Sequence, residues 1–193
     1  DEEPLSPVTA TIDEALRLSA IAVGYTLYVG SPRQDEDFEQ FTYVREEAHS
    51  AGLPVIVWSY PRGREIEEKG GKNSLYAIEY AARVASELGA DVIKVNVPNL
   101  KKNSSIPAPY RDFETDLPEA VKRVIGAAAG VPVIFAGGEM VSDDDLLQKA
   151  SLCIRAGGSG FIFGRNIWQR PIEQALDITR KLREVIRTQR QKK

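Results

Sequence analysis

Cysteine, histidine and methionine each occur once, at Cys153, His49 and Met140. A single cysteine excludes an internal disulfide and fits a reducing, cytoplasmic setting. One histidine and one cysteine argue against a zinc site, which draws several such ligands to one ion. His49, beside Glu46 and Glu47 on a helical stretch, reads as surface. No apolar run is long enough to span a bilayer. The acidic start Asp1-Glu2-Glu3-Pro4 opens an expected N-terminal loop over 1–10, unlike a signal peptide. Positive charge is not in excess either, with 25 Lys and Arg against 28 Asp and Glu and a formal net charge of −3. The expectation is therefore no nucleic-acid and no membrane partner. Basic residues do gather over 180–193, which reads as the cation-rich end of a last helix and a basic tail over 187–193.

What is present is an alternation of strand and helix. At 193 residues the chain suits one domain with one sizeable core. Segments 20–28, 54–60, 89–98, 132–136 and 160–164 read as strands, short Val- and Ile-rich runs bounded by Gly and Pro. Helices are expected around 11–18, 38–50, 75–88, 117–129, from near Ser142, and over 172–186. Gly52 and Gly89 stand as stops, and the run Asp143-Asp144-Asp145 reads as an acidic first turn, not as metal ligands. A polar loop spans 99–111. Strands each followed by a helix build a parallel sheet with right-handed crossovers.

Lys94 interrupts one of these apolar strands, in Gly89-Ala90-Asp91-Val92-Ile93-Lys94-Val95-Asn96-Val97-Pro98. Desolvation there disfavours the ammonium and lowers its pKa. A lysine that is partly neutral is a nucleophile suited to attack on a carbonyl carbon, forming a Schiff base. The alternative is a strand-end lysine that snorkels to water or pairs with an acid such as Asp91.

Trp58, Tyr60, Lys94, Gly137, Gly138, Gly164 and Arg165 all fall at the C-terminal ends of successive strands. In a (β/α)8 barrel those ends converge on one mouth; an open doubly wound sheet would not gather them so. The turns Ala136-Gly137-Gly138 and Gly164-Arg165-Asn166 can turn backbone N–H groups toward a phosphate, with Arg165 adding fixed charge. Trp58 and Tyr60 alternate with Ser59 and so share one face of their strand. The fold class expected is α/β, a TIM barrel of which this chain carries about the last five βα units. One partial barrel domain, 1–193, follows.

The blocks Ala22-Val23-Gly24-Tyr25-Thr26-Leu27-Tyr28, Trp58-Ser59-Tyr60-Pro61-Arg62-Gly63, Gly89-Ala90-Asp91-Val92-Ile93-Lys94, Pro132-Val133-Ile134-Phe135-Ala136-Gly137-Gly138 and Gly164-Arg165-Asn166-Ile167-Trp168-Gln169-Arg170 together resemble the archaeal-type class I fructose-bisphosphate aldolases, the DhnA family. The likeness runs from about Thr11 to the last helix. It implies a (β/α)8 barrel and Schiff-base cleavage of fructose 1,6-bisphosphate to dihydroxyacetone phosphate and glyceraldehyde 3-phosphate. It implies no cofactor and no metal. Lys94 matches the Schiff-base lysine and Tyr60 the catalytic acid/base. Trp58, Arg62, Gly137, Gly138, Gly164 and Arg165 match substrate-binding positions. A phosphorylated ketose is the implied partner, in a homo-oligomer.

Two departures stand out. The family's first three strands, with an Asp-His-Gly block, have no counterpart, so an N-terminal truncation is expected. Asn96 stands where relatives often carry a second lysine, and Arg62 or Arg165 would then replace that charge near Lys94. Other readings are a related aldolase or transferase acting on another phosphorylated ketose, a non-catalytic sugar-phosphate-binding fragment, or an assembly fragment pairing through its strand edges.

Overall fold

The computed structural model describes residues 4–101 and 104–190. The expected acidic start at Asp1, Glu2 and Glu3, the loop residue Lys102, and the end of the basic tail at Lys193 lie outside the described residues. Five parallel strands, β1 (Val23–Leu27), β2 (Val55–Ser59), β3 (Val92–Asn96), β4 (Val133–Ala136) and β5 (Gly160–Ile162), lie side by side in chain order. Neighbours in sequence are neighbours in space, as single βα crossovers of one hand require.

The helices between them start where local chemistry allows. α1 (Ile12–Arg17) opens with a capping box between Thr11 and Glu14. α4 (Leu75–Glu87), α5 (Leu117–Ala127) and α6 (Asp143–Arg155) are capped by the side chains of Ser74, Asp116 and Ser142. α6 carries the three consecutive aspartates in its first turn, where the helix dipole favours negative charge.

Some boundaries differ from those expected. α2 (Gln34–Ser50) begins before residue 38, because its first turn is acidic rather than apolar and periodicity marks only the apolar part. Two short helices, α3 (Arg64–Glu68) and α7 (Arg165–Trp168), were not foreseen, being too brief to show a 3.6-residue period. The Gly164-Arg165-Asn166 turn is therefore the entry into α7 rather than an open loop. The last helix, α8 (Ile172–Arg190), continues past residue 186 into the basic tail.

The strand alternation divides the sheet into two faces. Leu27, Val55, Val57, Ile93, Val95, Val133 and Phe135 point to the helices and are buried. The opposite face carries Thr26, Ile56, Trp58, Ile134 and Ala136, all half-buried. The apolar runs had implied cover on both faces, but only the helix side is closed. A barrel of this type needs eight strands to shut its ring, and five leave the inner face open, with β1 and β5 as edges.

The turns after β1 and β2 touch through glycine. Gly63 has φ 102°, and a Cβ there would lie 2.3 Å from the Gly30 carbonyl oxygen. Gly63→Ala meets both a left-handed backbone and an immovable main chain. It should lower stability by roughly 2–4 kcal/mol in urea unfolding. An unchanged midpoint would show that this turn relaxes freely.

Candidate active site

The register places Thr26, Trp58, Lys94, Ile134 and Gly160 in one row across the sheet. Lys94 is therefore flanked by an indole on one side and an isoleucine on the other. Its residue exposure is 8%. The ammonium lies 5.5 Å from the Trp58 ring centroid and 5.2 Å from that of Tyr60. Those ring faces favour the charged form, yet desolvation outweighs them and lowers the Lys94 pKa to about 8. Trp58 gains its place from Gly24, where a Cβ would come within 1.9 Å of the indole.

Lys94 Nζ donates a hydrogen bond of 2.6 Å to the Tyr60 hydroxyl. Tyr60 stands just beyond β2, and its N–H donates to the Leu27 carbonyl at 2.9 Å, so the ladder continues far enough to aim the phenol. Arg62 is held likewise, its N–H donating to the Val29 carbonyl at 2.9 Å. Its guanidinium carbon lies 5.3 Å from the Tyr60 ring and 5.9 Å from that of Tyr28. Burial raises the Tyr60 pKa; Arg62 and Arg165 pull it down and Tyr28 pushes it up, leaving it above its ordinary value.

The expected replacement of a lysine by arginine charge beside Lys94 takes a different form. Desolvation alone accounts for the Lys94 shift, while both arginines act on the phenol. Asn96, on the same strand face as Lys94, donates to Asn73 at 2.9 Å. Asp91 does not pair with Lys94; it accepts from the Val55 N–H and meets the exposed His49, each at 2.8 Å. Cys153 is buried, which pushes its thiol up to about 12 and leaves it a poor nucleophile.

Gly137 is buried after β4, and Gly138 is exposed with φ 72°. Gly164 and the exposed Arg165 follow β5. Asn166, fully buried, ties the two loops together: its amide donates to the Glu139 carbonyl at 2.9 Å and accepts from the Val141 N–H at 3.0 Å. Arg170 supports it, donating to the Asn166 carbonyl at 2.7 Å and pairing with Asp143. Tyr28, Asn166 and Arg170 stand within motifs of the sequence that gave their side chains no part, and Asn73 stands in none of them. Asn166 had no local signal, because its motif is rich in polar residues and only the fold decides which of them is buried.

These features define a class: a parallel βα-barrel protein with a buried amine and a phenol in contact at its strand ends. The sequence matches the DeoC/LacD family of aldolases over residues 1–170, and the chain belongs to that family. It is 41% identical over 168 residues to the class 1 fructose-bisphosphate aldolase of Halobacterium salinarum, covering 87% of this chain and 56% of that protein. It is 34% identical over 185 residues to the class 1 fructose-bisphosphate aldolase of Thermoproteus tenax, covering 95% of this chain and 62% of that protein. An archaeal fructose-1,6-bisphosphate aldolase, solved with its catalytic Lys covalently bound to the carbinolamine intermediate of the substrate, superposes with a TM-score of 0.78. Its identity is 32%, over 96% of this chain and 66% of that one. The chain thus spans 56% to 62% of the length of these two curated relatives.

With a pKa of about 8, Lys94 is neutral in only a minor fraction at pH 7. Its reactivity toward formaldehyde in reductive methylation should rise about fivefold from pH 7 to pH 8, then level off above pH 9, following the free amine. A rise continuing beyond pH 10 would mark an ordinary, solvated lysine.

Proposed function

We propose that the chain performs class I, metal-independent aldol chemistry, the reversible cleavage of fructose 1,6-bisphosphate to dihydroxyacetone phosphate and glyceraldehyde 3-phosphate. The observation that carries this reading is the 2.6 Å contact between Lys94 Nζ and the Tyr60 hydroxyl on the open ends of the strands. A nucleophile and a proton carrier in contact, on a site free of other strong nucleophiles among the described residues, suit Schiff-base chemistry.

Neutral Lys94 attacks the C2 ketone to give a carbinolamine, and Tyr60 gives its proton to the departing hydroxyl, so that water leaves and an iminium stands beside the phenolate. The C3–C4 bonding pair then flows into the iminium to form an enamine, while Tyr60 as phenolate takes the C4 hydroxyl proton and glyceraldehyde 3-phosphate departs. Tyr60 returns a proton to C3, and water hydrolyses the resulting iminium to release dihydroxyacetone phosphate and free the amine. The iminium charge lowers the phenol pKa when a base is needed. Its loss at the enamine stage restores the acid. Trp58 walls the amine from water. Arg62, and the loops carrying Gly137, Gly138, Gly164 and Arg165, take the substrate phosphates.

The domain reading that goes with this function is the last five βα units of an eight-unit barrel, the remaining units coming from outside these 193 residues. The same reading takes the protein as a cytoplasmic, homo-oligomeric enzyme of glycolysis and gluconeogenesis.

Borohydride reduction in the presence of dihydroxyacetone phosphate tests the nucleophile. Lys94→Ala should lose the adduct mass entirely, because Lys72 and Lys101 lie exposed in loops without comparable desolvation. An adduct persisting in the variant would remove Lys94 from the mechanism. Arg165→Ala should weaken dihydroxyacetone phosphate binding about tenfold, near the lower end for a charge-assisted hydrogen bond because the side chain is exposed. Calorimetry at low salt reads it, and equal affinities would take Arg165 out of the phosphate site.

A further inference from the structure

Among the described residues, Arg62 is held by ring faces rather than by a carboxylate. Its guanidinium stands over the rings of Tyr28 and Tyr60, and the hydrogen bond its side chain makes goes to the Pro61 carbonyl at 2.7 Å. The two aromatic faces leave most of the guanidinium N–H groups unspent.

Tyr28 is itself anchored from behind the sheet. It stands one residue beyond β1, on the same face as Thr26, and its N–H donates to Asp37 Oδ2 at 2.7 Å. Asp37 is fully buried in the first turn of α2, where its other oxygen accepts from the Tyr25 hydroxyl at 2.6 Å. Gln40 donates to that hydroxyl at 2.8 Å. A carboxylate buried so deeply and bonded on both oxygens has no freedom to move, and the main chain at Tyr28 inherits that rigidity.

A continuous line of contacts therefore runs from α2 through Tyr28 and Arg62 to the phenol that receives the Lys94 hydrogen bond. We propose that Tyr28 is a positioning residue for proton transfer: its ring braces Arg62 against Tyr60, keeping the guanidinium over the phenol. This role rests on the aldolase reading above.

The brace matters because a long arginine on an open sheet face has ample rotamer freedom to lose. Without the Tyr28 face, Arg62 turns toward water and its field at the phenol is screened. Arg165 remains as the other cation acting on Tyr60, so loss of the brace weakens proton transfer without abolishing it. Imine formation at Lys94 depends on desolvation of the amine and is left alone. The phenyl ring, not the hydroxyl, does the bracing, so phenylalanine substitutes for Tyr28 and leucine does not.

Two measurements test this on the intact chain. In the first, arginine is 15N-labelled and the Arg62 Nε signal is assigned by its absence in Arg62→Lys. The signal should be ring-current shifted in wild type and in Tyr28→Phe, and should collapse to the position of a free guanidinium in Tyr28→Leu. In the second, dihydroxyacetone phosphate is incubated in deuterium oxide, and exchange at its hydroxymethyl carbon is compared with the borohydride-trapped adduct. At saturating dihydroxyacetone phosphate, Tyr28→Leu should slow exchange about tenfold per mole of trapped adduct, and Tyr28→Phe should match wild type. An Arg62 signal unmoved in Tyr28→Leu, or equal exchange per mole of trapped adduct, would overturn the role of Tyr28 alone. Absence of any wild-type adduct would overturn the aldolase reading and this role with it.

Discussion

The site depends on keeping one amine away from water. Lys94 lies in an apolar row between Trp58 and Ile134, and the two aromatic rings beside it favour the cation that burial opposes. Burial prevails, because a ring face returns only a small part of the hydration an ammonium loses. The consequence is a pKa of about 8. No cation has to be brought against the amine to depress it, so the arginines are free to act elsewhere. They act on Tyr60, partly opposing the burial that holds its pKa above the ordinary value.

Division of labour between the two faces of the sheet follows from the strand period. The helix side carries Leu27, Val55, Val57, Ile93, Val95 and Phe135, all fully buried, and with them most of the folding stability. The other side carries the candidate site groups, which are less covered and more costly to place. Turn geometry after each strand extends this order outward. Tyr60 and Arg62 keep main-chain bonds to the β1 segment beyond the last strand residues, so their side chains stay aligned on the inner face. The loops after β4 and β5 are joined through buried Asn166, which Arg170 and Asp143 hold in turn. Gly137, Gly138, Gly164 and Arg165 are consequently positioned as one unit rather than as two independent turns.

Lys94 was legible because a cation inside a Val- and Ile-rich strand contradicts its surroundings, and such contradictions concentrate at functional sites. The βα order was legible from alternating apolar runs and Gly stops, and Trp58 and Tyr60 from their shared parity. Tyr28 was not, although it ends a quoted motif, because nothing local separates an anchoring tyrosine from a packing one. Its meaning arises from Asp37 on α2 and Arg62 beyond β2, both remote in sequence. α3 and α7 escaped for a different reason, since helices of a single turn carry no measurable period.

The amino-acid sequence by itself determined the parallel βα scaffold, the family likeness, and the candidate residues gathered at the strand ends. Those properties are written in short-range patterns: period, stops, caps and motif strings. Only the tertiary structure decided which partners those residues take. It gave Lys94 to Tyr60 and Asp91 to His49, and it set Arg62 over the phenol ring. Pairing of this kind depends on strand register and loop path across distant segments, and so on distances of a few ångströms that no local pattern encodes.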